Sequence, residues 1–211
     1  MRKGQITKEH IIRESAGLFN TKGYTGASLS EIIDRSGVHK GGIYNHFENK
    51  DEIALAAFDY SVSKILDFLS KALENTTTSK ERLLAICDVY IDIIESNTIE
   101  GGCPILNTAI ESDDGHPFLK ERAQQAMKVF IGKLKVIVDS GIDNKEFRSN
   151  INSEEICTYI IAVIEGGVML SKLFDDSIYI RHCVSNVQQY IDGQMLNVEF
   201  MSSQQLKEDI K

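Results

Sequence analysis

The side chains best placed to do chemistry lie on one short predicted helix, residues 39–47. The helix carries Lys40, Tyr44, Asn45 and His46, which supply an ammonium group, a phenol, an amide and an imidazole. These groups donate hydrogen bonds, and the ammonium adds positive charge. Such chemistry suits contacts to phosphates and base edges of nucleic acid.

The segments on either side of this helix form a helix-turn-helix pattern. Ser28 and Glu31 make a capping box, which predicts that a helix starts there. Gly37 is placed to end that helix, because glycine adopts the left-handed conformation without steric cost. Asn49 and Glu52 make a second box and predict the start of the next helix. Two helices joined by a tight glycine-containing turn are the arrangement whose second helix enters the DNA major groove.

The charge of the chain is distributed unevenly. The net charge is −8, which is unusual for a DNA-binding protein. Residues 1–50 nevertheless contain eight basic and five acidic residues, a net charge of +3, whereas the remainder carries −11. The positive charge therefore coincides with the helix-turn-helix, and the acidic remainder is not expected to lie along a phosphate backbone.

Composition limits the class of protein. With two prolines, 42% hydrophobic residues and long segments of 3.6-residue periodicity, the chain is predicted to be all-α. We find no N-terminal apolar signal region, and the longest apolar run, residues 159–170, is too short to span a membrane. Four cysteines without metal-ligand spacing suit a reducing cytoplasm. No glycine-rich phosphate loop, catalytic triad or metal motif is present, so we predict no cofactor and no metal.

A set of residues within positions 7–55 stands at fixed spacing without a gap. The set comprises Gly23, Tyr24, Leu29, Ile32, Gly37, Val38, Gly41, Ile43, Tyr44, His46, Phe47, Lys50 and Ile53. It resembles the N-terminal signature of the TetR/AcrR family of transcriptional regulators. The resemblance implies a three-helix helix-turn-helix DNA-binding domain over residues 1–50. A larger helical effector-binding and dimerisation domain would follow over residues 51–195, with a polar tail over residues 196–211.

The resemblance also implies which residues meet DNA. The implied positions are Ser28, His39, Lys40, Gly41, Gly42, Tyr44, Asn45, His46 and Lys50. Tyr44, His46 and Lys50 would hold phosphates, and Lys40 would lie near a phosphate or a guanine. Ser28 would add a contact at its helix N-terminus. The alternative for Tyr44 and His46 is packing within the three-helix core.

Two positions depart from the family pattern. His39 stands where the family usually has a helix-capping Ser or Thr, and Gly42 stands where Thr is frequent. We therefore expect a weak cap and a recognition helix of low intrinsic stability. If docking follows the family, His39, Gly42 and Asn45 lie nearest to the base edges.

Helical spacing predicts the remaining elements. The predicted helices run over about residues 7–21, 49–75, 78–97, 103–112, 117–141, 152–174 and 177–193. Residues 1–6 would be a short basic arm, either frayed or in contact with DNA. The helix that starts at Asn49 would join the two domains and could transmit movement between them.

The last two long helices carry apolar stripes that allow two interpretations. The stripes comprise Ile156, Ile160, Val163, Gly167, Leu170 and Phe174 on one helix and Val184, Val187 and Ile191 on the other. The family resemblance implies a homodimer through these helices, with Gly166 and Gly167 admitting a partner backbone. A core within one chain would give the same pattern.

Cys103 is a candidate sensing thiol. It follows two glycines and precedes Pro104, which favours a first helical turn. Backbone N–H groups and the helix dipole would favour the reactive thiolate there. Lys172 is a possible cationic partner. The alternative is a buried residue that packs at a helix start.

Other residues could line an effector cavity. The aromatic candidates are Tyr60, Phe68, Tyr90, Phe130 and Tyr159, each of which could equally be plain core. Glu165 interrupts an apolar stretch and is either a paired interface carboxylate or a pocket residue that meets a polar ligand.

These observations predict a cytoplasmic, ligand-responsive DNA-binding regulator, most simply a dimeric repressor on a palindromic double-stranded operator. A small-molecule effector or thiol modification would release the DNA. Two other classes stay open. One is a helix-turn-helix adaptor that acts through protein contacts, and the other is a helical enzyme, against which the lack of a catalytic constellation argues.

Overall fold

A computed structural model describes residues 3–112 and 115–197 of the chain. These residues form nine α-helices, a π-helical turn and one isolated β-bridge, between Phe147 and Leu196, and the described part contains no β-strand. The helices are α1 Lys3–Gly26, α2 Leu29–Ser36, α3 Lys40–Tyr44, α4 Lys50–Leu73, α5 Ser79–Ser96, α6 Pro104–Glu111, α7 Pro117–Asp143, α8 Ser153–Phe174 and α9 Ile178–Tyr190, and the π-helical turn is Ile191–Met195. The predicted all-α class is confirmed. The predicted polar tail lies, from residue 198 onward, outside the described residues.

The first helix differs most from its prediction. It begins at Lys3, four residues before the predicted start, so the prediction of a frayed arm is wrong for residues 3–6, while the alternative of a contact with DNA stays a prediction. A hydrogen bond of 2.8 Å from Gln5 to Glu9, one turn apart, supports this first turn. Residues 1 and 2 lie outside the described residues. Near its other end the helix is broken at Gly23, whose φ of 73° no helical residue adopts.

Residues 3–67, 97–112 and 115–127 belong to one compact unit, called unit 1 below. Its hydrophobic core joins α1 to the three helices that follow, and its buried members are Ile11, Leu18, Ala27, Ile32, Ile43, Phe47 and Ile53. Because α3 has five residues, it cannot be stable alone and depends on this core. Unit 1 also contains α6 and the start of α7, whereas the domain boundary at residue 50 stays a prediction from sequence.

Residues 68–96 and 128–197 belong to unit 2, in which α8 packs on α9 and on α5. The apolar stripes of α8 and α9 largely face this core, since Ile156, Ile160, Val184 and Val187 are buried. A Cβ at Gly167 would lie 2.8 Å from Ile180 Cδ1 and 3.0 Å from Cys183 Cβ, both on α9 of the same chain. The prediction that Gly167 admits a partner helix is therefore wrong.

Helix α8 is long and apolar enough to cross a membrane, judged by length and composition alone. A central helix of a globular core meets the same criteria. The packing of α8 against α5 and α9 accounts for its apolar character.

Candidate nucleic-acid interface

Helix α2 is fixed at both ends by the signals present in the sequence. Ser28 Oγ accepts a hydrogen bond of 3.2 Å from the Glu31 N–H, and the Glu31 carboxylate accepts one of 2.8 Å from the Ser28 N–H. A hydrogen bond from Lys22 to Glu31 is the largest cause that lowers the pKa of Glu31 to about 2. Gly37, with φ of 66°, ends the helix in the left-handed conformation. The predicted capping box and glycine stop are both confirmed.

Helix α3 is capped by an imidazole. His39 occupies the N-cap, and its Nδ1 accepts a hydrogen bond of 2.7 Å from the Gly42 N–H. Because Nδ1 is the acceptor, the proton of the neutral ring lies on Nε2. A capping hydrogen bond is therefore present at this position, with the imidazole nitrogen in place of the hydroxyl oxygen of a Ser or Thr cap, and the expected weakness of this cap stays a prediction.

The space for this cap depends on Gly42. A Cβ at that position would lie 2.8 Å from Val38 Cγ1 and 2.9 Å from His39 Nδ1, which is too close for either neighbour to stay in place. The two departures from the family pattern therefore belong together, because the ring at His39 needs the missing side chain at Gly42. A Cβ on the neighbouring Gly41 would meet no atom within 4 Å.

Four predicted contact residues share the exposed side of this region. His39, Lys40, Tyr44 and Asn45 are all exposed, whereas Ile43 between them is fully buried and anchors the helix. The Lys40 ammonium lies 6.0 Å from the centroid of the Tyr44 ring. This arrangement can present an ammonium, a phenol, an amide and an imidazole N–H to a polyanion without exposing the core.

His46 and Lys50 are half-buried, in contrast to the first four residues. The Lys50 ammonium donates a hydrogen bond to the backbone carbonyl of Tyr24 and lies 4.4 Å from the centroid of the Tyr24 ring. An ammonium group has three donors, so this contact leaves donors for a phosphate. The ring of His46 lies beside α1, with its Cε1 3.6 Å from the position of a Cβ on Gly4.

The sequence interpretation missed a carboxylate that joins α6 to the turn before α2. Glu111 accepts hydrogen bonds of 2.7 Å from the Tyr24 N–H and 2.9 Å from the Thr25 N–H. A Cβ on Gly23 would lie 2.5 Å from this carboxylate, so the glycine makes the approach possible. The partners are 86 and 87 positions apart, and no local spacing could have indicated the contact.

Two asparagines, also missed, join α1 to the segment around α6. Asn20 donates hydrogen bonds of 2.7 Å and 2.9 Å to the carbonyls of Glu100 and Gly102. Asn107 on α6 donates to the carbonyl of Asn20 at 3.1 Å and to its side-chain oxygen at 3.0 Å. Together with Glu111, these residues form what is called the α6 latch below. Four of these hydrogen bonds tie α6 itself to α1, and the other two tie α1 to the segment that precedes α6.

The candidate sensing thiol is buried. Cys103 has 1% of its surface exposed and forms the N-cap of α6, where its side chain makes no capping hydrogen bond. Burial raises the pKa of Cys87 to about 12 and that of Cys157 to about 11, and it also raises that of Cys183. Those three thiols therefore have little thiolate at neutral pH. Lys172 is exposed in the last turn of α8 in unit 2, whereas Cys103 belongs to unit 1.

The remaining effector candidates are spread over both units. Tyr90 and Phe130 are buried in unit 2 with ring centroids 6.1 Å apart, and Tyr159 lies 4.6 Å from Tyr190 by the same measure. Tyr60 lies under the Lys64 ammonium, 5.3 Å from ring centroid to nitrogen. Phe68 is half-buried, and Glu165 is buried in α8. Over residues 3–112 and 115–197, no three His, Cys, Asp or Glu side chains are grouped as metal ligands would be.

Comparison with known proteins covers both parts of the chain. Residues 11–57 match the family described as bacterial regulatory proteins, tetR family, and residues 79–187 match the tetracyclin repressor-like C-terminal domain. The crystal structure of a TetR transcriptional regulator from Chloroflexus aurantiacus J-10-FL is 38% identical in sequence, with a TM-score of 0.89. The match covers 93% of this chain and 99% of that one.

Two relatives differ in the fraction of their length that matches this chain. The HTH-type transcriptional activator FasR of Mycolicibacterium smegmatis is 33% identical over 97 residues, which are 46% of this chain and 42% of that protein. The HTH-type transcriptional repressor DhaR of Mycobacterium sp. is 22% identical over 167 residues, 79% of this chain and 82% of that protein.

The pairing of His39 with Gly42 leads to a first prediction. Gly42→Ala should destabilise the protein by about 1–3 kcal/mol, because the new Cβ displaces the capping ring or Val38. Gly41→Ala is the matched control, and it should be neutral or stabilising by up to about 1 kcal/mol, since alanine favours a helix and its Cβ meets open space. Urea unfolding of both variants measures the difference. Equal stability of the two variants would show that the cap does not depend on Gly42.

Proposed function

The chain belongs to the TetR family of DNA-binding transcriptional regulators, and from this premise we propose that it is a cytoplasmic, homodimeric repressor. It occupies a palindromic operator through two copies of α3, one in each of two successive major grooves. A small molecule or a thiol-reactive compound releases the operator. Since the family consists of transcriptional regulators, the chain is not an enzyme.

The observation that carries the DNA-binding proposal is the exposed polar side of α3. His39, Lys40 and Asn45 project from a helix whose opposite side is fixed by Ile43 in the core. Because the core already holds the backbone of α3, binding need not order that backbone. The net charge of +3 over residues 1–50 favours DNA over a protein surface as the partner. An adaptor that acts only through protein contacts has no need of that charge.

The roles proposed within this surface are those that the family resemblance implies. Tyr44, His46 and Lys50 contact phosphates, Lys40 lies near a phosphate or a guanine, and Ser28 adds a hydroxyl or backbone contact at the start of α2. The His39 Nε2–H and the Asn45 amide lie nearest to the base edges. The outward N–H of His39 suits an acceptor such as guanine N7 or O6, since the cap commits Nδ1 and sets the tautomer.

The dimer proposal has its support in an exposed apolar strip on α8. Met169, Leu173 and Phe174 are 47%, 67% and 56% exposed, and a Cβ on Gly166 would meet open space. Exposed apolar residues at helical spacing mark a surface that another protein covers. A second copy of the same strip, related by a two-fold axis, gives a self-complementary contact.

The α6 latch supports a route by which an effector acts. It holds α6 to the end of α1 and to the turn that precedes α2, through Glu111, Asn20 and Asn107. A ligand that prefers a different position of α6 would therefore move the DNA-binding helices. It can do so only to the extent that its affinity differs between the two positions.

Phe68, Tyr90, Phe130 and Tyr159, together with Glu165, remain the proposed lining of an effector site in unit 2, and Tyr60 stays a separate candidate in unit 1. Cys103, in unit 1, is the alternative effector site. Because this thiol is buried, an oxidant reaches it only when the start of α6 opens.

The phosphate contacts generate a second prediction. Lys50→Ala should weaken binding to all DNA sequences by a similar factor and lower the slope of log affinity against log salt by about 1, because one phosphate contact is lost. Lys71→Ala, an exposed lysine at the end of α4, is the control and should leave the slope unchanged. Unfolding of the Lys50 variant must be measured as well, since Lys50 also binds the Tyr24 carbonyl. An unchanged slope in a normally folded variant contradicts the assignment.

The α8 strip generates a third prediction. Gly166→Arg should give a folded monomer and abolish high-affinity operator binding, because two like charges would meet across the two-fold axis. Gly132→Arg on α7 introduces the same residue at another open helical position and should stay dimeric. Sedimentation velocity at micromolar concentration distinguishes the two variants. A dimeric Gly166→Arg protein would rule out this strip as the interface.

The thiol hypothesis generates a fourth prediction. Hypochlorite or a quinone should release wild-type protein from its operator, whereas Cys103→Ser should keep the operator bound. Cys183→Ser is the control, because Cys183 is the more exposed thiol and should leave release unchanged. If wild type and Cys103→Ser respond alike, Cys103 is structural and the effector is a non-covalent ligand.

A further inference from the structure

Unit 1 contains a cavity of about 200 Å³, and Tyr60 is the one residue of its lining that the proposed function uses. It lies between α1, α2, α4 and the segment that precedes α6. Its charged lining consists of Arg13, Arg35, Lys64 and Glu100, three cations against one carboxylate. Tyr60 and Thr98 add hydroxyl groups. The lining therefore has a net charge of +2 at neutral pH.

The Glu100 carboxylate already forms an ion pair with one of these cations. Both guanidinium nitrogens of Arg35 donate to the Glu100 carboxylate, with 3.2 Å between Nη1 and Oε1. A Cβ on Gly17 would lie 2.1 Å from Glu100 Oε2 and 2.9 Å from Arg35 Nη2, so the pair rests directly on the backbone of α1. The guanidinium group of Arg35 therefore lies in the wall of the cavity and binds the Glu100 carboxylate in bidentate fashion.

The other cations are less fully neutralised. Arg13 contacts Glu14 at 3.2 Å, and Glu14 also lies 4.0 Å from Arg35. Among the residues that the structure describes, Lys64 forms no ion pair, and its ammonium lies over the Tyr60 ring. Even with Glu14 included, the region keeps a net charge of +1.

We propose that this cavity binds a small organic dianion, a phosphate ester or a dicarboxylate, in which one anionic group replaces the Glu100 carboxylate on Arg35. The second anionic group meets Lys64 and Arg13 at the opposite side of the cavity. The effect of this dianion on operator binding rests on the proposed function, whereas the binding of the dianion itself does not depend on DNA.

Replacement of the Glu100 carboxylate by an anionic group of the ligand requires little movement of the backbone. The Glu100 carbonyl is held by the Asn20 amide at 2.7 Å, so the side chain can rotate away while the backbone stays in place. Arg35 keeps a bidentate partner throughout, and no buried charge is left unpaired. Glu100 itself is half exposed and can be solvated once released.

A DNA phosphate is the less favoured occupant of the cavity. Arg35 is in the last turn of α2, whereas Ser28 caps the first turn, where DNA is expected. Seven residues of helix separate them by roughly 10 Å. Binding of the dianion would instead release α2 from the segment that leads into α6. It would thereby change operator affinity through the same helices as the α6 latch.

Isothermal titration calorimetry on the DNA-free, full-length protein tests the site, with pyrophosphate and citrate as probes at constant ionic strength. Lys64→Gln should weaken binding about three- to fivefold, and Glu100→Gln should strengthen it by a similar factor, since exposed charge pairs have energies of this order. Lys71→Gln, two turns further along α4, is the control and should match wild type.

Binding of either probe with this pattern of variants supports the site, and the probe that binds more tightly identifies phosphate or carboxylate as the ligand chemistry. Absence of binding by both probes at millimolar concentration, or equal affinity in all variants, overturns it. Because no DNA is present, a negative result leaves the repressor proposal untouched. Conversely, failure of the protein to bind any operator leaves this titration valid.

Discussion

The recognition surface depends on the burial of one side chain beneath a helix of five residues. A helix this short has too few internal hydrogen bonds to persist in water, so Ile43 and its neighbours in the unit 1 core hold it. Phe47 and Ile53 continue the same core into α4. The exposed polar groups of α3 are therefore presented by a rigid support, although the helix that carries them has little stability of its own.

Close approach of polar groups to the backbone is the second constraint on unit 1. At Gly42 an imidazole accepts a hydrogen bond from the Gly42 N–H, and at Gly23 a carboxylate from α6 reaches the turn before α2. At Gly17 an ion pair lies on the surface of α1. In each case a Cβ would occupy the place of the polar partner. The absence of a Cβ at these glycines thus permits the cap of α3, the contact of the α6 latch with the turn before α2 and the ion pair in the cavity wall. These three contacts help to position the DNA-binding helices.

These contacts also give the proposed regulator two places at which it can be controlled. The α6 latch couples the DNA-binding helices to α6 through neutral and charged hydrogen bonds that have discrete partners. The Arg35–Glu100 pair couples α2 to the same segment through an exchangeable carboxylate. Either contact can be biased only by a ligand that binds more tightly to one arrangement than to the other. Their location within one compact unit makes the response local, without the need for a long chain of intermediates.

The sequence by itself determined the helices, the helix-turn-helix and its exposed polar residues. Caps at Ser28 and Gly37 and the periodicity of apolar residues are local signals, because they act over one or two helical turns. The tertiary structure alone decided that His39 caps α3, that Gly167 faces α9 and that Glu111, Asn20 and Arg35 meet their partners. The hydrogen bond of the His39 ring to the Gly42 N–H could not be inferred from the sequence, because it depends on the space left at Gly42. The contacts of Glu111, Asn20 and Arg35 join residues more than 60 positions apart, so no local pattern in the sequence indicates them. For Gly167, the periodicity of the helix cannot tell which neighbour its face contacts. These contacts form only when the helices pack together.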